Sequence, residues 1–576
     1  MRQGKILTLV SVVLTTVILT SCGGLNKMKK NYSMVNYTVT PTVLEEHADS
    51  VDISITGKFP EKYFNKKAMA DITPVIKWEG GEKAFKTVKV QGEAVQDNNT
   101  TIGYVSGGSF SYTDKISYEE AMKMSKLEVK VDAYLATKPD KKLAFDVKEI
   151  AEGVIATPLL VIMKGKVIIG ADNFQRITSD SKQAEILFNI QQAQVRGTEL
   201  RKDEIKTLVE YIKEAKENER KEFTGVSVSS YASPDGAEDL NSKLADNRSK
   251  STDKYVQKQF RKIEEANKEN FVTNTVTAED WDGFKQLVQA SDIADKDIIL
   301  KVLSMYSDSE TREKEIKNIS AVYLELAKDI LPKLRRSKIN VNVNLIGYSD
   351  EEITSIFNAK PDSLNVEELL YAATLTNDAA QKLNVYTKCT EIYPKEWRGF
   401  NNKGVILFSQ DKFDEAKQAF EAAKEIDNTN AKVLNNLGAV ELVKGNVASA
   451  KELFTSAGGA GSEVNFNNGI VAIKEADYAN AVTMFGDNNS FNTGLAKLLN
   501  GDNDGAIKAA DSGDDKDNAM NFYLKAIAGA RNANSDLLFN SLRAAVEKDA
   551  KLKAFAKSDM EFAKYFNDTT FKSIVE

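Results

Sequence analysis

The chain has 576 residues, which at roughly 150 per domain points to three or four domains. Charged residues make up 28% and hydrophobic residues 42%, a balance that fits folded soluble structure and argues against general disorder. The net charge of -7 speaks against a nucleic-acid partner, and a single histidine, His47, with two cysteines excludes most His/Cys metal centres and any Ser–His or Cys–His pair in the body of the chain. No cofactor, metal site or catalytic residue is expected. A carboxylate-only hydrolase stays compatible with the composition, but no motif sets two carboxylates in one cleft.

Residues 1–21 look like an export signal. Arg2 and Lys5 precede an apolar run from Ile6 to Leu19, too short for a stable membrane span. The run ends in Leu19-Thr20-Ser21-Cys22, which resembles a bacterial lipobox. That resemblance implies cleavage before Cys22, acyl chains on Cys22, and a membrane partner held through those chains. Loss of Arg2 and Lys5 leaves the mature chain at -9, so its surface gains nothing from anionic lipid. No aspartate follows Cys22 and no acidic cluster does either. The lipoprotein resemblance then implies the outer membrane with the domains facing the periplasm, and surface exposure remains open. Cys389 is left without an intramolecular disulfide partner.

Residues 22–36 are expected to be a lipidated polar tether. Residues 37–178 read as short strands. Val51 to Gly57 and Leu127 to Tyr134 alternate apolar and polar with period two, and turn clusters separate such runs, as in a β-sandwich.

Residues 179–348 change to an α+β order: a strand at 184–190, a helix at 198–216, a strand at 225–231, a helix at 239–262, a helical insert, and a strand at 339–345. The stretch Ser230-Tyr-Ala-Ser-Pro-Asp-Gly236, followed by Asn241, Leu244 and Arg248, resembles the OmpA-like peptidoglycan-binding family. The insert, with Glu279-Asp-Trp281-Asp-Gly-Phe284 and Ile330-Leu-Pro332-Lys-Leu-Arg335-Arg336-Ser337, is similar to an expanded variant of that family. The resemblance implies peptidoglycan as a partner, with Arg248 gripping the diaminopimelate carboxylate bidentately and an aspartate gripping its ammonium. The aspartate is expected fifteen residues before the arginine, where this chain has Ser233; Asp235 lies two residues further on. Ser233, Asp235, Asn241 and Arg248 are therefore the candidate wall-binding residues. The alternative for Arg248 is a purely structural salt bridge.

After an expected linker at 349–362, residues 363–576 carry small residues at fixed offsets. Gly404 and Gly438 are 34 apart, as are Ala416 and Ala450, and Phe420 and Phe454. Gly469, Ala481 and Phe485 follow after a shortened step, and Gly494 and Ala506 mark a degenerate unit. This resembles the tetratricopeptide repeat, whose period is 34. It implies an all-α solenoid of five to six repeats to about residue 535, then capping helices. Cys389 falls in a small-residue slot, which assigns it to helix packing. Asn401, Asn402, Asn435, Asn436, Asn467 and Asn468 recur near the start of successive first helices, where side-chain amides suit an extended peptide backbone.

The fold class expected is thus multidomain: an all-β sandwich, a central OmpA-like α+β domain with a helical insert, and an all-α solenoid. The function expected is a lipid-anchored periplasmic scaffold or adaptor that binds unidentified envelope or outer-membrane protein partners and supports an assembly complex. The alternatives are a peptidoglycan tether and a fimbria-associated anchor.

Overall fold

The computed structural model describes residues 23–293, 295–513 and 515–576. The expected signal segment and Cys22 lie outside them. The chain divides into two compact units, residues 23–171 with 378–576, and residues 172–377.

In the first unit the expected sandwich is present but bounded differently. One sheet joins Asn36–Thr40, Ser50–Phe59, Leu44–His47 and Val154–Ile155, with Gly108–Ser117 paired to Ser50–Phe59. The second joins Lys138–Ala144, Lys126–Leu135, Ala68–Trp78, Val88–Gly92 and Thr100–Ile102, with two further strands on its flanks. The alternation seen in sequence points Val51, Ile53 and Ile55 inward against Leu127, Val129 and Val131. The expected tether is corrected: residues 23–30 are helical, and Leu25, Met28, Tyr32 and Val35 are buried in the sandwich core. Their spacing of three and four is a helix stripe, which burial converts into an anchored first turn. The sandwich also ends at Ile155 rather than 178.

The helices from Ala379 onward form antiparallel hairpins, among them Trp397–Ser409 with Phe413–Ile426, Ala431–Val443 with Val447–Ser456, and Ser462–Lys474 with Tyr478–Phe485. The repeated glycine marks where the two helices of a hairpin meet. A Cβ on Gly404, Gly438 or Gly469 would lie 2.5, 2.5 or 2.8 Å from the ring of Phe420, Phe454 or Phe485. Cys389 is buried within the helix Ala379–Ile392, and a Cβ on Gly399 would sit 3.0 Å from its Sγ. No helix among the described residues is long and apolar enough to cross a membrane.

In the second unit a four-stranded sheet runs in the order Ile177–Leu187, Arg336–Ile346, Lys221–Tyr231, Val272–Thr277. The first three are antiparallel and the last pair is parallel. Asp203–Glu217 and Glu238–Phe260 pack their apolar residues against it, and the insert 281–334 has its own small core around Phe284, Ile299, Leu326 and Leu334. Val272–Thr277 escaped the sequence because its residues are mostly exposed and polar. The expected linker 349–362 is corrected to a helix, Asp350–Ala359, started by a capping box between Ser349 and Glu352.

Gly438→Val places methyl groups against the Phe454 ring. The variant is expected to lose about 1–3 kcal/mol in urea unfolding, whereas Gly445→Ala, with open space around the glycine, probes only backbone strain at φ +81°.

Candidate functional site

The expected groove is already filled. After Val154–Ile155 the chain takes one short turn at Thr157–Leu160 and then runs as an extended strap, residues 161–171, across the first helices of the repeats. It belongs to no sheet; its main chain pairs with asparagine side chains.

Four asparagines each hold both the N–H and the C=O of one strap residue. Asn492 accepts from Ile162 N (2.9 Å) and donates to Ile162 O (2.8 Å). Asn467 does the same at Lys166 (2.6 and 2.8 Å), Asn436 at Ile168 (2.6 and 2.7 Å), and Asn402 at Gly170 (2.7 and 2.8 Å). A primary amide offers a donor and an acceptor side by side, as the edge of a neighbouring strand would. The strap therefore meets a strand edge built from side chains, and its direction opposes the order of the repeats.

A second row braces the first. Asn435 and Asn401 donate to the carbonyls of Lys166 and Ile168 at 3.0 and 3.1 Å. They also join the amides into a chain: Asn436 donates to Asn401 Oδ1 and Asn467 to Asn435 Oδ1, each at 2.9 Å. Asn436 thus uses both N–H groups and accepts twice through Oδ1. All six asparagines are buried, which is tolerable only because they are paired.

Asn468 takes no part and is half-buried. The participating position is two residues before the repeat glycine, at 402, 436, 467 and 492, and Asn468 stands one residue later. Asn492 carries the same offset from Gly494, so the signal for it was in the sequence.

Two strap glycines set the fit. A Cβ on Gly165 would lie 2.7 Å from Asn467 Oδ1, and one on Gly170 would lie 2.9 Å from Arg398 Cγ. Val161 and Ile168 are buried in the solenoid core. Lys164 pairs with Asp411 at 2.5 Å, and the Lys166 ammonium lies 4.3 Å from the centre of the Phe466 ring. Arg398 donates to the carbonyl of Ala171 at 3.3 Å.

The sandwich and the turn that follows it touch the later repeats and the C-terminal helices. His47 Nδ1 is 2.7 Å from Tyr478 Oη, Lys474 pairs with Asp49 at 2.8 Å, and Thr157 donates to Glu561 at 2.5 Å. A hydrogen bond to Glu45 raises the His47 pKa. Beside these contacts, Asp559 is buried and accepts from Tyr523 Oη at 2.7 Å. Burial, and then the nearby Glu561 charge, push its carboxyl up to about 6.

In the second unit Ser233, Asp235, Asn241 and Arg248 line one cavity of about 50 Å³, together with Arg335. Arg248 is 1% exposed and donates to three main-chain carbonyls, those of Tyr231 (2.8 Å), Gln192 (3.1 Å) and Asn189 (3.5 Å). Burial and the neighbouring Arg335 charge lower its pKa to about 10. Asp235 pairs with Arg335 at 2.9 Å, and Ser233 donates to Asp235 while accepting from Arg335 Nε. Asn241 donates to the carbonyl of Gly236 at 3.0 Å, closing the turn before its own helix. Arg335 is the member of this cluster that the sequence did not single out as a site residue.

No known family profile matches the chain. It is 34% identical over 88 residues to the heat shock protein sti1 homolog of Schizosaccharomyces pombe, a stretch that is 15% of this chain and 15% of that protein. Among solved structures it resembles a chain of the APC/C hetero-tetramer Cut9-Hcn1, at 14% identity and TM-score 0.32, covering 51% of this chain and 58% of that one. It also resembles a tetratricopeptide repeat protein from Parabacteroides merdae, at 12% identity and TM-score 0.28, covering 39% of this chain and 89% of that one. A third is YrrB, described as a TPR protein with an unusual peptide-binding site, at 18% identity and TM-score 0.22, covering 36% of this chain and 99% of that one. The paired helices and the recurring glycine opposite phenylalanine give the helical region a tetratricopeptide-like repeat fold.

Asn436→Ala leaves the N–H of Ile168 without its acceptor, reduces the Ile168 carbonyl to its bond from Asn401, and breaks the link to Asn401 Oδ1. It is expected to cost about 2–4 kcal/mol in urea unfolding of the full chain, against less than about 0.5 kcal/mol for Asn468→Ala.

Asp559 gives a pH signature. The folded chain keeps a proton on it up to about pH 6, while the unfolded chain releases it near about pH 4. The folded state thus binds more protons in that window, and stability falls as pH rises through it. Asp559→Asn should remove about 2 kcal/mol of this decline, read as the difference between parent and variant in urea midpoints at pH 4.5 and 7.5.

Proposed function

We propose that this chain is a lipid-anchored scaffold of the outer membrane, held by acyl chains on Cys22 and gathering protein partners in the periplasm for an envelope assembly. The observation that carries the scaffold reading is the asparagine ladder. A repeat surface that recognises an extended main chain without depending on most of its side chains is binding machinery, not catalytic machinery. The anchor rests on the lipobox resemblance of residues 19–22.

The peptidoglycan tether is the weaker reading. Its central guanidinium already serves three carbonyls of its own domain, and Asp235 is engaged by Arg335. A diaminopimelate stem would have to compete with those internal bonds. A fimbrial anchor has no residue of its own to argue from.

Two measurements test the proposal. Cys22→Ala is expected to move the protein from the membrane fraction to the soluble fraction of cells; retention in the membrane would overturn the lipid anchor. In-cell crosslinking of the parent chain is expected to give discrete protein adducts, while the soluble protein stays in the supernatant with purified sacculi. Arg248-dependent sedimentation with sacculi and no protein adduct would make the tether reading the better one.

A further inference from the structure

The ladder holds a segment of the same chain, and its chemistry says what else it would accept. We propose that the groove is an exchangeable peptide site whose resident ligand is the strap. In trans it takes an extended segment with the strap's pattern: aliphatic, three residues, glycine, two residues, aliphatic, one residue, glycine. This deepens the scaffold reading and rests on it.

At Ile162, Lys166, Ile168 and Gly170 the four asparagine amides engage only main-chain N–H and C=O. Any extended chain carries those groups, so one such segment replaces another bond for bond. The filter lies in four side-chain positions. Val161 and Ile168 fill apolar sites and are each 8% exposed. At Gly165 and Gly170 a Cβ would enter Asn467 and Arg398 respectively, so only glycine lets the main chain reach the amides.

The strap is also placed to leave. The main-chain bonds of residues 162–170 run to solenoid side chains and none to another strand, so its departure opens no sheet. Ile162 and Ile169 are 41% and 45% exposed, which leaves one side of the strap uncovered. What holds it in place is connection. A tethered segment competes at an effective concentration on the order of millimolar. A second segment therefore enters only when the strap is withdrawn or the competitor is itself concentrated.

The test uses the full-length chain and a fluorescein-labelled synthetic peptide with the sequence of residues 159–172. Gly165→Val with Gly170→Val should eject the strap and leave the groove open. Fluorescence anisotropy is expected to show the peptide binding this double variant at least tenfold more tightly than the parent. Adding Asn436→Ala and Asn467→Ala should abolish that binding. A double variant that keeps its helical circular dichroism yet binds the peptide no better than the parent overturns the proposal.

Should the double variant fail to fold, native-state hydrogen exchange of the parent decides. The amides of Ile162, Lys166, Ile168 and Gly170 are expected to exchange by local opening, independently of denaturant and ahead of the Ala431–Val443 core. Exchange only with global unfolding overturns the proposal. The crosslinking result bears on the scaffold reading separately: adducts that persist when the peptide fails to bind would sink this inference and leave that reading standing.

Discussion

The constraint on which the first unit depends is the need of buried amides for partners. Six asparagines line the inner helices of the repeats with almost no exposure. Left dry and unpaired, each would cost more than its neighbours' packing contributes. The strap removes that cost by supplying an N–H and a C=O at alternate positions. The amides in turn satisfy a strap that has no sheet to join. Neither partner is complete without the other, although 232 to 330 residues separate the paired positions. Sandwich, strap and solenoid are consequently one body, and the contacts of His47, Asp49 and Thr157 with the later repeats extend the same union.

How much of this was legible depends on whether the signal repeats. Helix packing was visible because three successive hairpins set a glycine against a phenylalanine, and that need recurs at a fixed offset. The amides were visible for the same reason. Asn468 continues the doublets at 401–402 and 435–436, but the step to the next repeat is shortened, and the offset of two before Gly469 and Gly494 falls on Asn467 and Asn492. The strap was illegible. Val161 to Ala171 is rich in apolar and β-branched residues, like a sandwich strand, and nothing local says that its partner is a row of side chains. The helix at 23–30 was hidden differently: lysines and glycines dominate its composition, and only the spacing of Leu25, Met28, Tyr32 and Val35 reveals the buried stripe.

The central unit shows the same rule applied to charge. Two arginines and one aspartate crowd the end of the strand Lys221–Tyr231. Buried guanidinium groups must be neutralised or saturated with acceptors. Arg335 takes the carboxylate of Asp235, and Arg248 takes three carbonyls instead. Serine at 233 fits this arrangement because a hydroxyl can donate to Asp235 and accept from Arg335 at once. An aspartate there could only accept, and would set a second negative charge beside the first. The serine at 233 and the internal use of Arg248 are thus two sides of one local arrangement.

The strap also acts on the geometry of the repeats. An extended chain advances about 3.3 Å per residue, so amides that hold alternate residues must stand about 6.6 Å apart. Asn402, Asn436 and Asn467 hold Gly170, Ile168 and Lys166 at that interval, while Asn492 holds Ile162 after a double step. A helical-repeat array held only by nearest-neighbour contacts can open or close its inner face by small rotations at every junction. A strand bonded at four rungs cannot stretch, so it fixes the inner spacing of the repeats it crosses. Curvature that most solenoids leave to the sum of many weak interfaces is here set by the length of one peptide. Withdrawal of that peptide would release the groove and the spacing together.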